Sequence, residues 1–178
     1  MKWVGKTAYV LSRICEVLLW AATALVVVSI LLAFFSAGWV EKAYMDGTLT
    51  IDQTQVWLAP INADGTLNTT VLGCFLLLIT PMIVLLAMVF HEICGAIKLT
   101  RSGSPFQPAV VHKVRRIGYF FAASVVVGIV LELVGAIFSG SSEWVIDFTD
   151  VVTAFIILWL TQVFAYGAEL QKDVDGLL

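Results

Sequence analysis

The stretch Ser104–Gly118, SPFQPAVVHKVRRIG, determines how the rest of the chain is interpreted, because it places basic residues directly before a long apolar run. From residue 98 to residue 116 the chain carries five lysines and arginines and no acid. Cytoplasmic loops of membrane proteins carry an excess of lysine and arginine, whereas loops on the opposite side do not. The stretch therefore predicts a cytoplasmic loop, and it sets the orientation of the apolar segments on either side.

The composition excludes a water-soluble globular protein. Of the 178 residues, 60% are hydrophobic and 13% are charged, whereas soluble domains have roughly 45–50% apolar and ~25% charged residues. A soluble fold of this length has too little interior to hide so much apolar surface, so lipid must be the solvent for much of the chain. The net charge of −3 also argues against a basic surface that coats nucleic acid. We therefore predict no direct nucleic acid binding.

Four apolar segments are long enough to span a bilayer, for which about 20 residues of helix are needed. They cover about residues 17–40, 71–90, 117–138 and 151–168. The polar segments are an outer loop at 41–70, the basic loop at 98–116 and a tail at 169–178. The sequence therefore predicts a single all-α domain, a polytopic membrane protein built as a four-helix transmembrane bundle.

The distribution of charge predicts that both termini are cytoplasmic. With the N-terminus, the basic loop and the tail inside, nine of the ten lysines and arginines are cytoplasmic, and Lys42 alone is outside. Seven of the thirteen acids then lie outside. This is the asymmetry that the positive-inside rule describes.

Three local signals predict details of this arrangement. Thr80–Pro81, in the middle of the second span, predicts a kink, with the freed carbonyl satisfied by a neighbouring helix or by a threonine hydroxyl. The N-A-D-G sequence at Asn62–Gly65 predicts a turn in the outer loop. The basic loop predicts an amphipathic helix that begins either with Ser104 as N-cap and Pro105 in the first position, or at Pro108.

The basic loop and the tail together form a candidate surface for a partner or for lipid. Its residues are His112, Lys113, Arg115, Arg116, Glu169, Gln171 and Asp175. Membrane orientation and attraction to anionic lipid, at about 1 kcal/mol per basic residue near the surface, explain the basic charges equally well. Membrane lipids are therefore predicted partners in either case.

A second candidate site consists of polar residues within the spans, namely Glu132, Thr161 and Gln162. A carboxylate inside a span is costly, so Glu132 either serves as a proton or cation site or is a neutral acid hydrogen-bonded to a neighbouring helix. Both interpretations stay open.

No pattern in the sequence indicates catalysis. The three cysteines, Cys15, Cys74 and Cys94, are far apart and form no C-x-x-C pair. His91 precedes Glu92 without the second histidine that a metal-binding helix motif needs. We therefore predict that the protein is not an enzyme and that it has no catalytic residues, no cofactor and no metal.

Three motifs in the second half of the chain, over Lys98–Leu178, carry a resemblance to a known family. They are Ser104-Pro105-Phe106, the basic run Val114–Gly118, and Phe164–Gln171 followed by Asp175. In this order and spacing the chain resembles the bacterial domain-of-unknown-function family 2975, from which it departs by having Lys172 and Val174 in a tail that is more acidic in the family. The resemblance implies a four-helix protein of the bacterial inner membrane, often encoded beside a small helix-turn-helix transcription regulator. It implies no known catalytic activity.

Two functional hypotheses follow. The first is a regulatory or binding membrane protein that acts on a cytoplasmic partner, such as a small helix-turn-helix regulator. The alternative is a small transporter, a channel subunit or a toxin-immunity membrane protein. Small residues spaced by four in the first span, at Ser29, Ala33 and Ala37, also allow close helix packing, either within the chain or in a homo-oligomer.

Overall fold

A computed structural model describes residues 2–51, 60–62, 64–102, 106–139 and 148–175. In these residues the chain forms five helices, which are α1 (Lys2–Phe35), α2 (Ala37–Met45), α3 (Thr69–Ser102), α4 (Pro108–Ser139) and α5 (Phe148–Asp175). The four long helices each contain a segment that is long and apolar enough to cross a membrane, over Gly5–Phe35, Thr69–Arg101, Pro108–Val134 and Thr149–Val174. The predicted all-α class with four apolar membrane helices is confirmed.

The first helix begins and ends earlier than the predicted span at 17–40. It starts at Lys2 and stops at Phe35, and a new helix, α2, begins after Ser36. The carbonyl of Ser36 accepts hydrogen bonds from the amides of Trp39 and Val40, at 3.0 and 3.2 Å, which restarts the helical pattern. The side chain of Ser36 makes no capping hydrogen bond. The apolar run continues here although helix α1 does not.

Helix occupies most of the basic loop at 98–116, where the sequence predicted one helix. Helix α3 continues to Ser102, and α4 begins at Pro108. The restart at Pro108 is therefore confirmed, since proline lacks only a donor that the first helical turn leaves unpaired. The alternative start at Ser104 and Pro105 lies outside the described residues. The predicted tail is also helical, because α5 runs to Asp175.

The chain divides into two compact units. The first unit comprises Met1–Trp20, Val84–Val126 and Asp147–Leu178, and the second comprises Ala21–Ile83 and Val127–Ile146. Helix α5 belongs to the first unit, whereas α1, α3 and α4 contribute to both. Each unit has its own packing contacts.

In the second unit, the predicted turn at Asn62–Gly65 is confirmed. The amide of Gly65 donates to the carbonyl of Asn62 at 3.0 Å, and Gly65 has a φ of +83°, a conformation that glycine adopts without strain. Just after the turn, the side-chain oxygen of Asn68 accepts a hydrogen bond from the amide of Val71 at 3.1 Å. Asn68 therefore caps the N-terminus of α3. Within the outer loop, residues 52–59 and Ala63 lie outside the described residues.

Helix α3 passes through Pro81 without interruption. The hydroxyl of Thr80 donates to the carbonyl of Leu76 at 2.7 Å. The carbonyl that loses its usual donor is that of Leu77, four residues before the proline. Of the two partners predicted for that group, a neighbouring helix or a threonine hydroxyl, the hydroxyl of Thr80 bonds instead to the adjacent carbonyl. The kink at Pro81 stays a prediction.

In the first unit, the segment before α4 packs against α5. The ring of Phe106 lies 6.0 Å from that of Phe164, centroid to centroid. A Cβ added at Gly167 would lie 2.7 Å from the Phe106 ring, so only glycine leaves room for the ring there. Two of the motifs quoted above, the one with Phe106 and the one with Phe164 and Gly167, therefore meet in space.

Candidate functional site

Glu92 on α3 is a buried carboxylate held by two cations from α4. It is 2% exposed, and its two oxygens lie 2.7 Å from Nζ of Lys113 and 3.0 Å from a guanidinium nitrogen of Arg116. Lys113 and Arg116 are three residues apart, so they project from the same side of α4. Gly95, one turn beyond Glu92, leaves space for the Lys113 chain, because a Cβ there would lie 2.9 Å from it.

Arg116 has a second contact in the same region. Its guanidinium carbon lies 5.5 Å from the centre of the Phe120 ring, within the range of a cation–π interaction. Lys113 and Arg116, both predicted to belong to a partner or lipid surface, are thus engaged within the first unit. They contribute to the packing of α3 against α4.

Glu16 on α1 is the second buried carboxylate, at 4% exposure. One of its oxygens lies 2.9 Å from Nδ1 of His91, and the other accepts a hydrogen bond from Arg13 at 2.7 Å. The thiol of Cys94 is a further neighbour. The acid therefore joins α1 to α3 in the first unit.

Sequence reasoning missed both acids as interaction centres. Glu16 stands one residue before the predicted first span, and Glu92 follows the second, so neither belongs to a predicted span or to a candidate site. One signal was available for Glu16, since Arg13 precedes it by three residues, which is the spacing of a helical ion pair. For Glu92 the signal was its position just before the basic loop at 98–116, which contains five basic residues and no acid that could pair with them.

These clusters join helices. A buried carboxylate is tolerated when cations and hydrogen bonds replace its water, and here one acid connects α1 with α3 and the other connects α3 with α4. Among the described residues, no group of three or more His, Cys, Asp and Glu side chains is placed to hold a metal ion.

A groove between α4 and α5 brings several of the predicted site residues together. It consists of two cavities, of about 260 and 350 Å³, that share Arg115 and Ala165. The smaller cavity is also lined by Pro108, Val111, His112 and Ala168, and the larger by Tyr119, Leu158, Thr161 and Gln162. Arg115 and His112 of the predicted surface thus share one groove with Thr161 and Gln162 of the predicted intramembrane site.

The other predicted residues are not part of this groove. Glu169 is exposed on α5, and Gln171 is half-buried and has a partner of its own. The side chain of Asp175 lies outside the described ones. Glu132 belongs to the second unit, is half-buried, and has no hydrogen bond or ion pair within the described part of the chain. The structure thus assigns Glu132 to a different unit from Thr161 and Gln162.

The end of α5 carries an exposed apolar stripe. Tyr166, Leu170 and Val174 are 63%, 48% and 59% exposed, and their spacing of four residues places them along one face of the helix. Charged, exposed residues accompany the stripe, namely Glu169, Lys172 and Asp173. This is an amphipathic helix end whose apolar face is uncovered in the described chain.

No protein-family model, characterised protein or solved structure matches this chain. The resemblance to the domain-of-unknown-function family 2975 stays a prediction.

Proposed function

We propose that this is a regulatory or binding protein of the bacterial inner membrane, with both termini cytoplasmic, that binds a soluble cytoplasmic partner at the end of α5. The observation that carries the proposal is the exposed apolar stripe of Tyr166, Leu170 and Val174. A helix that presents apolar residues every fourth position is the form in which many proteins bind a groove on their partner.

The predicted span at 151–168 supports a position for the end of this stripe beyond the hydrocarbon layer, because a span of about this length crosses that layer. Leu170 and Val174 follow the predicted span among charged residues, so we expect that lipid tails do not cover them. Exposed apolar surface outside lipid commonly marks an interaction site.

The orientation and the kind of partner rest on the sequence. The asymmetry of lysine and arginine favours a cytoplasmic end for α5. A small helix-turn-helix regulator is favoured as partner by the resemblance to family 2975 alone. Regulation requires two states of the membrane protein that bind this partner with different affinity.

The contact between the start of α4 and the end of α5 offers a route for such a change. Phe106, just before α4, packs on Phe164 and fits over Gly167, next to the stripe. A movement of α4 relative to α5 would disturb this contact and alter the surface that Tyr166 and Leu170 present.

The test is photo-crosslinking in native membranes, with a photoreactive amino acid placed at Tyr166. The full chain is compared with the double variant Leu170→Gln/Val174→Gln and with the matched control Lys172→Gln/Asp173→Asn, which changes charged neighbours of the stripe. We expect one soluble DNA-binding protein to be crosslinked in the parent and in the control and to be lost in the stripe variant, at equal membrane insertion.

The variants do not include Arg116, because Arg116 pairs with Glu92. A substitution there would lower the stability of the fold, and loss of binding could not be told from loss of folding. Crosslinking only to lipid or to a second copy of the chain would contradict the proposal. Equal capture of a soluble protein by the stripe variant would contradict it as well.

A further inference from the structure

We propose that the groove between α4 and α5 binds the phosphodiester headgroup of an anionic phospholipid, with Arg115 as the ligand of the phosphate. This inference is independent of the proposed function, because Leu170 and Val174, the stripe residues that the crosslinking test changes, lie on a different side of α5 from the groove. Ala165 lines both cavities of the groove, and Leu170 is displaced from Ala165 by about 140° around the helix axis.

The first argument is charge. Three basic residues lie close together near the start of α4, and two of them, Lys113 and Arg116, are paired with Glu92. Arg115 is exposed and has no ion pair or hydrogen bond within the described residues. It is also shared by both cavities of the groove. An uncompensated guanidinium inside a groove favours an anion, and guanidinium geometry fits a phosphate with two parallel hydrogen bonds.

The second argument is the set of polar groups beside Arg115. Tyr119 and Gln162 line the larger cavity, and neither has a hydrogen-bond partner in the described chain. Thr161 donates its hydroxyl proton to the carbonyl of Ile157 at 3.1 Å, which leaves its oxygen free to accept. A phenol, an amide and a hydroxyl oxygen can therefore bind the phosphate oxygens, the ester carbonyls and the hydroxyls of a headgroup.

The third argument is depth in the membrane. On α4, Arg115 precedes the predicted span at 117–138 by two residues. On α5, Ala168 is the last residue of the predicted span at 151–168. Both helices thus line the groove at the edge of a hydrocarbon layer of ~30 Å, which is where phosphates lie. Tyr119, one turn from Arg115, is a residue type that prefers this level.

The fourth argument is the apolar part of the lining, which distinguishes a lipid from a free phosphate. Val111, Pro108 and Ala168 line the smaller cavity, and Leu158 lines the larger. These side chains offer nothing to a small inorganic ion, but they suit the glycerol backbone and the first methylenes of an acyl chain. The alanine at 165, where the cavities meet, keeps the groove open.

The test counts the lipids that the intact protein retains in native mass spectrometry. The full-length protein in detergent is titrated with phosphatidylglycerol and, separately, with phosphatidylcholine. We expect one tightly held phosphatidylglycerol per chain. Arg115→Gln should weaken its binding roughly tenfold to a hundredfold, which is the range for losing hydrogen bonds to a charged group.

Two further variants complete the design. Arg101→Gln removes one exposed positive charge from the end of α3 without touching the groove, so we expect it to retain the lipid. Ala165→Leu keeps the charge but fills the junction of the two cavities, so we expect it to lower lipid retention. Circular dichroism verifies that every variant is folded.

Each contrary outcome has a definite meaning. Equal losses in Arg115→Gln and Arg101→Gln would show diffuse attraction between charges and would overturn the site. Displacement of the lipid by millimolar inorganic phosphate would identify a small-ion site and overturn the lipid assignment. Equal retention of phosphatidylglycerol and phosphatidylcholine would overturn the role of the phosphate charge.

Discussion

The two units of the chain handle polar side chains in opposite ways. The first unit buries two carboxylates, Glu16 and Glu92, and gives each of them basic partners. The second unit contains Glu132, which is half-buried and has no described partner. It also contains a close apolar contact, in which the Phe34 ring lies 2.8 Å from the position that a Cβ of Gly73 would take.

This difference shows two ways of fixing a helix in lipid. Burying an unpaired carboxylate costs several kcal/mol, so a paired one strongly favours the single arrangement in which its partners meet. Close packing of small residues against an aromatic ring selects a helix arrangement by shape. A misplaced helix then costs less free energy than one that leaves a buried carboxylate unpaired. We therefore expect substitutions in the first unit to have larger effects than those in the second.

The largest effect is expected for Glu92→Gln. The amide keeps the volume of the side chain but leaves Lys113 and Arg116 without a counter-charge, and removing one partner of a buried pair costs roughly 3–5 kcal/mol. Because Lys113 and Arg116 are partly exposed, we expect the lower end of this range. The free energy of unfolding, measured by denaturant titration in mixed micelles, checks the value.

The matched control for Glu92→Gln is Glu132→Gln in the second unit. Since Glu132 has no ion pair in the described residues, we expect its free energy of unfolding to change by less than about 1 kcal/mol. Equal losses for the two variants would remove the proposed contrast between the units.

An intermediate effect is expected from two glycines of the second unit. Replacing a helical glycine by alanine favours the helix by about 1 kcal/mol. A Cβ at Gly128 meets no atom within 4 Å, whereas one at Gly73 would lie 2.8 Å from the Phe34 ring. We therefore expect Gly128→Ala to stabilise the protein and Gly73→Ala to give no gain or a loss, in the same unfolding titration. A gain at both positions would mean that the Phe34 ring moves aside freely.

The smallest effect is expected at Asp64, in the exposed turn of the second unit. The hydroxyl of Thr66 donates to the Asp64 carboxylate at 2.6 Å, and the Thr66 amide donates at 3.0 Å. These hydrogen bonds lower the pKa of Asp64, and the bond from the Thr66 hydroxyl has the larger effect. A lowered pKa in the folded state means that the turn is stabilised above the unfolded pKa and loses this as the pH falls through the folded one.

Thr66→Val tests this small effect, because it removes the hydroxyl and keeps the amide. The carboxyl carbon resonance of Asp64, followed by NMR against pH, reports the pKa directly. We expect the pKa to be below its ordinary value in the parent and closer to it in Thr66→Val. An unchanged midpoint would show that the hydroxyl contributes nothing.

Much of the fold was predictable, because apolar runs and local turn signals are properties of neighbouring residues. The four membrane segments, the Asn62–Gly65 turn and the helix start at Pro108 depend on nothing distant. Helix ends were less predictable, since an apolar run shows where lipid is and not where hydrogen bonding stops. Helix α1 accordingly begins 15 residues before the predicted span at 17–40.

The candidate site was only partly predictable, because its charges meet across long stretches of chain. Glu16 and His91 are 75 residues apart, and Glu92 and Lys113 are 21 apart. Counting basic residues predicts orientation, but it does not tell which cations already have a partner. Only the structure separates Arg115, which faces the groove, from Lys113 and Arg116, which are paired with Glu92.

Helix α5 continues without a break from its membrane segment to Asp175. The number of residues in the helix therefore determines the direction in which the side chains at its end face. In a helix each added residue turns everything beyond it by about 100° and shifts it by ~1.5 Å. A single insertion between Tyr166 and Leu170 would rotate Leu170 and Val174 by about 100° relative to Tyr166, whereas four added residues would leave them within about 40° of their original direction. The number of residues in this part of α5 thus fixes the direction in which Leu170 and Val174 face.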